Sequence, residues 1–289
     1  MTMGYDSPGG GADLPPMDDE PIGSRLHFNM EAIIPIVLIV IIGFLLLARL
    51  GVIDSSTPVI GPVVSAISPN STARILIIGA PSPEILAVMN ANKDLVGNPI
   101  IRAAEAFTNN PENQLAQFDI VLLDQTGQIS KAIPRQLGDA LQSYVKTGGK
   151  LIIIKDSGIE QPGALDVLGW KANFGNIVPV NCDIILDGQP TCKRPIGVIG
   201  VIWQQDYKHP IMLGIERVPA QAEAGYLALE VFDVGVTGNE IAYIEDARTG
   251  KNFPAIVEQA QLGGGKVLYF NYNPGITSGI FQNTIKYLK

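Results

Sequence analysis

The feature that most constrains this chain is the run AIIPIVLIVIIGFLLLA, residues 32–48, which is uncharged, almost wholly apolar, and extends to Ile53 with Arg49 as its only charge. At 1.5 Å of rise per residue such a run crosses a hydrocarbon layer of about 30 Å. A helix buried in a soluble core would keep one polar face, and this run has none. Pro35 falls in the first turn, where a missing N–H costs little. Residues 31–53 are therefore expected to form one transmembrane helix that contacts membrane lipid through residues 32–53. The thirty residues ahead of it, rich in Gly, Pro and Asp, lack the basic start of a secretory signal, so the anchor is expected to stay uncleaved. That acidic tail, residues 1–30, offers nothing to bury and is expected to be disordered.

Composition removes several classes of function. A formal net charge of -8 opposes nucleic-acid binding, which rests on many lysine and arginine contacts to phosphate. Two cysteines and two histidines exclude a four-thiolate or histidine-rich zinc centre. No metal and no cofactor are therefore expected. With 46% apolar residues in 289, the chain still holds enough material for a sizeable core.

Orientation rests on little charge asymmetry, because Arg25 and Arg49 flank the span on opposite sides. Two features lean outward. Cys182 and Cys192 bracket CDIILDGQPTC, whose Gly-Gln-Pro turn would let them bond, and such bonds persist outside reducing compartments. Asn70 opens a glycosylation sequon, Asn70-Ser71-Thr72, at the end of a linker spanning residues 54–72. Two buried thiols and a chance tripeptide are the alternatives. A single-pass membrane protein with an extracytoplasmic globular domain is the resulting expectation.

From residue 73 to 289 the pattern becomes that of one folded domain. ARILIIG (73–79), QFDIVLLD (117–124), KLIIIKD (150–156) and KVLYFNY (266–272) are apolar runs of the kind buried on both sheet faces. Between them IPRQLGDALQSYVKTGG sets Leu137, Leu141, Tyr144 and Val145 on one helical face, with Pro134 at its start and Gly148 past its end. Residues 175–265 are richer in β-like runs, with turns at Gly188-Gln189-Pro190 and Thr249-Gly250-Lys251, and read as strands extending the same sheet. The expected fold is α/β: a mainly parallel, flavodoxin-like sheet with helices on both faces.

Ligands of open α/β sheets sit beyond the carboxyl ends of the strands. Candidate ligand-binding residues there are Ser82, Asp124, Gln125, Asp156, Ser157, Asn271 and Asn273. Asp124 and Asp156, side by side at adjacent strand ends, would raise one pKa of the pair or hold a divalent ion; helix capping and turn formation are the bland alternative. A Ser157, His209 and Asp206 triad is the enzymatic alternative, although KDSGI lacks the first glycine of G-x-S-x-G.

The order ARILIIG, QFDIVLLDQTG, SYVKTGGKLIIIKDSG, HPIMLGIERVP, GGGKVLYFNYNPG resembles the class I glutamine amidotransferase-like superfamily, above all its ThuA-like (trehalose-utilisation-like) branch. The resemblance is one of ordered pattern across residues 73–289. It implies a nucleophilic cysteine on a strained turn after the strand ending at Lys155, and a histidine just after the last strand. This chain has Asp156-Ser157 at the first place and Asn273-Pro274 at the second. Asn273 cannot take a proton near neutral pH, so glutaminase chemistry is excluded. His209, in a His-Pro turn that the ThuA-like branch shares, reads as a rim residue. The sequence thus points to a degenerate domain that binds a ligand or a membrane or envelope partner. A hydrolase using Asp156, Ser157 and Asp124 is the second reading.

Overall fold

The computed structural model describes residues 72–289, except 183, 187 and 224, together with the four helical positions Pro35, Leu38, Ile39 and Ile42. The tail, most of the expected span, the linker and Asn70 lie outside the described residues. Among the described residues no helix is long and apolar enough to cross a membrane. The unit that spans residues 54–289 holds the sheet and its helices.

Four short strands fall on the four apolar runs: β1 (Ile75–Gly79), β3 (Ile120–Asp124), β4 (Lys150–Ile154) and β16 (Lys266–Phe270). Their side chains alternate between two cores. Ile75, Ile77, Ile120, Leu122, Ile152 and Leu268 enter one, with α1 (Pro83–Ala91) and α5 (Ser278–Leu288) above them. Leu76, Ile78, Val121, Leu123, Ile153 and Val267 enter the other, beneath the short α2 (Pro111–Leu115), α3 (Arg135–Lys146) and α4 (Trp170–Phe174). Burial on both faces is what removes a polar alternation from these runs. Helix α3 buries Leu137, Leu141, Tyr144 and Val145, and ends where Gly148 takes φ +107°.

The main sheet continues on both sides of these four strands. At one edge β2 (Ile100–Arg102) lies beside β1. On the other side β16 is followed in turn by β15 (Asn252–Ala260), β14 (Asn239–Asp246), β10 (Ile196–Gln204) and β11 (Arg217–Val218), with β12 (Leu227–Val231) also paired to β10. The order is β11-β10-β14-β15-β16-β4-β3-β1-β2. From β2 to β16 neighbours are parallel, whereas from β16 outward every pairing is antiparallel. The mainly parallel expectation is corrected accordingly: the sheet is mixed. Links of five residues between β14 and β15, and between β15 and β16, are too short for a parallel crossover and force hairpins.

The segment 160–193 mostly leaves the sheet. It forms small ladders between β5 (Glu160–Gln161) and β6 (Ala164–Leu168) and between β8 (Ile185–Leu186) and β9 (Gln189–Pro190). Within it β7 (Val180–Asn181) pairs with β13 (Gly235–Val236). Gly188 makes the turn of the β8–β9 hairpin, whereas Gln189 and Pro190 form β9 itself. Cys182 and Cys192 are joined by a disulfide across the base of that hairpin.

Candidate functional site at the strand ends

The carboxyl ends of β1, β3, β4 and β16 meet at one rim, and close backbone approach sets its geometry. Gly79 has φ +118°, and a Cβ there would lie 2.1 Å from the carbonyl oxygen of Asp124, so only glycine lets β1 and β3 end side by side. Beyond it Ser82 caps α1: its Oγ accepts the Ile85 N–H at 3.3 Å, and Pro83 fills the first helical position.

Asp124 is fully buried and wrapped by donors. Its carboxylate accepts the Ser82 N–H at 3.3 Å, the Thr126 N–H at 3.0 Å and the Thr126 hydroxyl at 2.6 Å. Burial raises its pKa above the ordinary carboxylate value, against the opposing pull of those bonds and of Lys131. Gln125 is equally closed in. Its N–H donates to Ser157 Oγ at 2.8 Å, its Oε1 accepts the Gly158 N–H at 2.8 Å, and its Nε2 donates to the Ala132 carbonyl at 3.1 Å.

Ser157 is buried completely, beneath the Trp170 indole, which donates to the Ser157 carbonyl at 2.9 Å. His209 is held elsewhere. Its Nε2 lies 3.2 Å from Glu258, its Nδ1 accepts the Ile211 N–H, and its ring stands edge-on to Tyr287. Asp206 accepts the Lys208 N–H and an amide proton of Asn239. The side chains of Ser157, His209 and Asp206 therefore have separate partners; the one bond between any two of the three residues among the described residues is the backbone bond from the His209 N–H to the Asp206 carbonyl at 3.2 Å.

Asp156 is one link of a charged chain. Its carboxylate lies 3.7 Å from Lys131 Nζ, and Lys131 also donates to the Gln125 and Thr126 carbonyls at 2.5 and 3.3 Å. Burial raises the Asp156 pKa; Lys131 and Lys155 oppose that shift, and Glu230 adds to it. Lys155 pairs with Glu230 of β12. Lys155 also carries the backbone strain, with φ +52°, a conformation that side chains other than Asn and Asp rarely adopt. The strained turn after β4 thus centres on Lys155, one residue ahead of Asp156.

At the end of β16, Asn271 uses all four hydrogen-bonding positions inside the protein. Its Oδ1 accepts the Phe232 N–H at 2.9 Å and the Tyr269 hydroxyl at 3.1 Å, and its Nδ2 donates to the Phe232 and Pro254 carbonyls at 2.8 and 2.9 Å. Asn273 closes the rim. Its Oδ1 accepts the Ser82 hydroxyl at 3.1 Å and the Gly275 N–H at 3.0 Å, while its Nδ2 donates to Glu84 at 3.2 Å. The structure brings Ser82, Glu84 and Asn273 into one group, Asp124 with Thr126, and Gln125 with Ser157. Lys131, Lys155, Glu84 and Glu230 were not among the residues singled out from the sequence, and only the strand-end position of Lys155 could have signalled any of them.

Two hollows lie along α1 and α5, the second of them reaching the rim at Glu84. One is a small cavity of about 10 Å³ under Met89, Leu95 and Phe281. The other is an open groove of about 500 Å³ lined by Glu84, Ala87, Ala91, Ser278, Gly279 and Gln282. Among the described residues no group of three His, Cys, Asp or Glu side chains is placed to hold a metal ion.

No family model matches this chain, and no curated protein matches it. Solved structures do. The β-galactosidase of Rahnella sp. R3 superposes with a TM-score of 0.48 at 15% identity, over 78% of this chain and 33% of its own. The β-galactosidase of Bacillus circulans sp. alkalophilus gives 0.47 at 12% identity, over 76% and 32%. A GMP synthase subunit from Thermoplasma acidophilum gives 0.40 at 10% identity, over 75% of this chain and 95% of that one. This chain matches about a third of the length of those β-galactosidases. Likeness so distant carries no argument about activity.

Proposed function

We propose that this chain is a single-pass membrane-anchored, catalytically degenerate amidotransferase-like domain that binds a ligand or a partner protein in a membrane or envelope complex. The observation that carries the reading is that the polar strand-end residues have their hydrogen-bonding groups occupied within the protein. Asp124, Gln125, Ser157, Asn271 and Asn273 each hydrogen-bond to groups of the protein, and Ser157, at the place of the family's nucleophile, is fully buried with its hydroxyl on the Gln125 N–H and not on a base. A hydrolytic site needs the reverse: a nucleophile within reach of both a base and solvent. The Cys182–Cys192 disulfide supports placing the domain in an oxidising, extracytoplasmic compartment.

The test uses the full chain in its membrane. A fluorophosphonate probe is expected to leave Ser157 unlabelled, and cross-linking followed by purification is expected to recover a stoichiometric membrane or envelope partner. Labelling that disappears in Ser157→Ala, or ester or amide turnover abolished by Asp156→Asn, would overturn the reading. One observation favours hydrolysis as the second reading. The strained Lys155 and the partly buried Asp156 and Lys131 stand together at a strand end, where active sites store backbone strain. Turnover sensitive to Lys155→Ala would support it.

A further inference from the structure

The outer sheet has one face that neither core covers. In antiparallel pairs, residues opposite each other share a face. On β10, Val198 and Ile202 point into the first core with their partners Leu229 and Ile244. The intervening residues Ile199, Val201 and Trp203 point the other way, beside Glu245 and Tyr243 of β14 and Arg217 of β11. No residue of this second face belongs to either core. Ile199 is 43% exposed, Trp203 and Tyr243 are partly buried, and Val201 between them is buried at 6% exposure.

Three properties of the face suggest what covers it. Arg217 stacks over the Trp203 ring at 5.0 Å and donates to the Pro219 carbonyl, and it has no carboxylate partner among the described residues. Glu245, exposed on the other side of β10, has no cationic partner there either. The Trp203 indole N–H is buried and lacks an acceptor among the described residues. An aliphatic and aromatic strip is thus flanked by one unpaired cation and one unpaired anion.

We propose that this face pairs with the same face of a second copy of the chain. A two-fold axis lying between the faces, and crossing the Arg217–Glu245 line at right angles, sets Arg217 of each copy against Glu245 of the other. It brings the two Trp203 side chains to the centre. That is the isologous, self-complementary arrangement a two-fold dimer requires. A partner of single charge would leave one of the two residues facing its own sign. Seven residues of β10 and three strand spacings give a flat footprint of roughly 23 by 15 Å, to which side-chain relief adds area. That flat footprint, about 350 Å², is under half of the roughly 800 Å² per partner that stable interfaces average, so the pairing is weak and concentration-dependent. The pairing does not depend on whether the domain binds or hydrolyses.

The experiment is sedimentation equilibrium of the full chain in detergent with its disulfide intact. Wild type is expected to show a concentration-dependent monomer–dimer equilibrium. Glu245→Arg and Arg217→Glu each set like charges together twice per dimer and should weaken association on the order of tenfold. The double variant Arg217→Glu/Glu245→Arg restores the opposition and should return within about threefold of wild type. Circular dichroism of the single variants is expected to match wild type, because both side chains lie outside the cores. Wild type that stays monomeric at the highest attainable concentration overturns the proposal. So does an association that neither reversal weakens, as pairing through residues 32–53 would give, or one that the double variant fails to restore.

Discussion

Replacing Asn271 by alanine should destabilise the domain far more than the same change at Asn273, two residues on. Asn271 is fully buried and satisfies the Phe232 N–H, the Phe232 and Pro254 carbonyls and the Tyr269 hydroxyl. A buried polar group left without a partner costs about 1–3 kcal/mol, and partial relaxation or an entering water recovers some of the total, leaving about 3–5 kcal/mol for the four. For a domain of this size each kcal/mol moves Tm by roughly 2–4 °C, so the midpoint should fall by roughly 6–20 °C. Asn273 sits at a partly exposed rim where water can replace its bonds, and Asn273→Ala should cost under about 1 kcal/mol. Thermal and urea unfolding of the full chain, followed by the fluorescence of Trp170, would measure both; its ring lies 5.3 Å from that of Tyr269. A loss below about 1 kcal/mol for Asn271→Ala would refute the claim that these bonds secure the link between β16 and the segment after β12.

Two further outcomes rest on the same physics. Burial pushes the Glu258 pKa up, but the bonds from His209 and Tyr287 more than offset it, so the folded value lies below the ordinary 4.5. A depressed folded pKa means stability that is present above the unfolded value and is lost as pH falls through the folded one. Glu258→Gln should therefore cost about 1–3 kcal/mol near neutral pH. That gap should narrow as pH drops below 4.5, and a gap that widens in acid, read from urea midpoints across a pH series, would contradict the assignment. At Lys155, glycine removes the φ +52° strain but also loses the pair with the half-exposed Glu230, so Lys155→Gly should stay within about 1 kcal/mol of wild type. Lys155→Val, β-branched in the left-handed region, should cost about 2 kcal/mol or more, and equal urea midpoints for the two variants would count against backbone strain at this turn.

The central strands were legible because burial on both faces leaves unbroken apolar runs such as ILIIG and KLIII, bounded by glycine or charge. The α3 face was legible from its period. Strand β2 was not: Ile100-Ile101-Arg102 is three residues long, comes directly after Pro99, and keeps both isoleucines partly in solvent at the sheet edge. The balance of parallel and antiparallel pairing depended on link lengths that became clear only once the strand ends were fixed. The rim residues follow strand ends, which position along the chain displays, but their partners could not be read. Phe232 reaches Asn271 across 39 positions and Ser82 reaches Asn273 across 191, and no local pattern encodes a bond between such distant segments. The strain at Lys155 was hidden for a different reason, because a lysine carries no propensity for positive φ that a sequence could display.

Strand β16, last in the chain, lies in the middle of the sheet, with β4 on one side and β15 on the other and residue 266 beside residue 150. A nascent chain released up to residue 260 has its parallel strands and its β14–β15 hairpin in hand, yet cannot join them. Until the final residues emerge, β4 and β15 both present bare backbone edges, the kind that recruit strands from other molecules. This timing makes synthesis the domain's most aggregation-exposed stage. It also means that even a short C-terminal truncation reaching β16 would divide the sheet at its centre instead of trimming its rim.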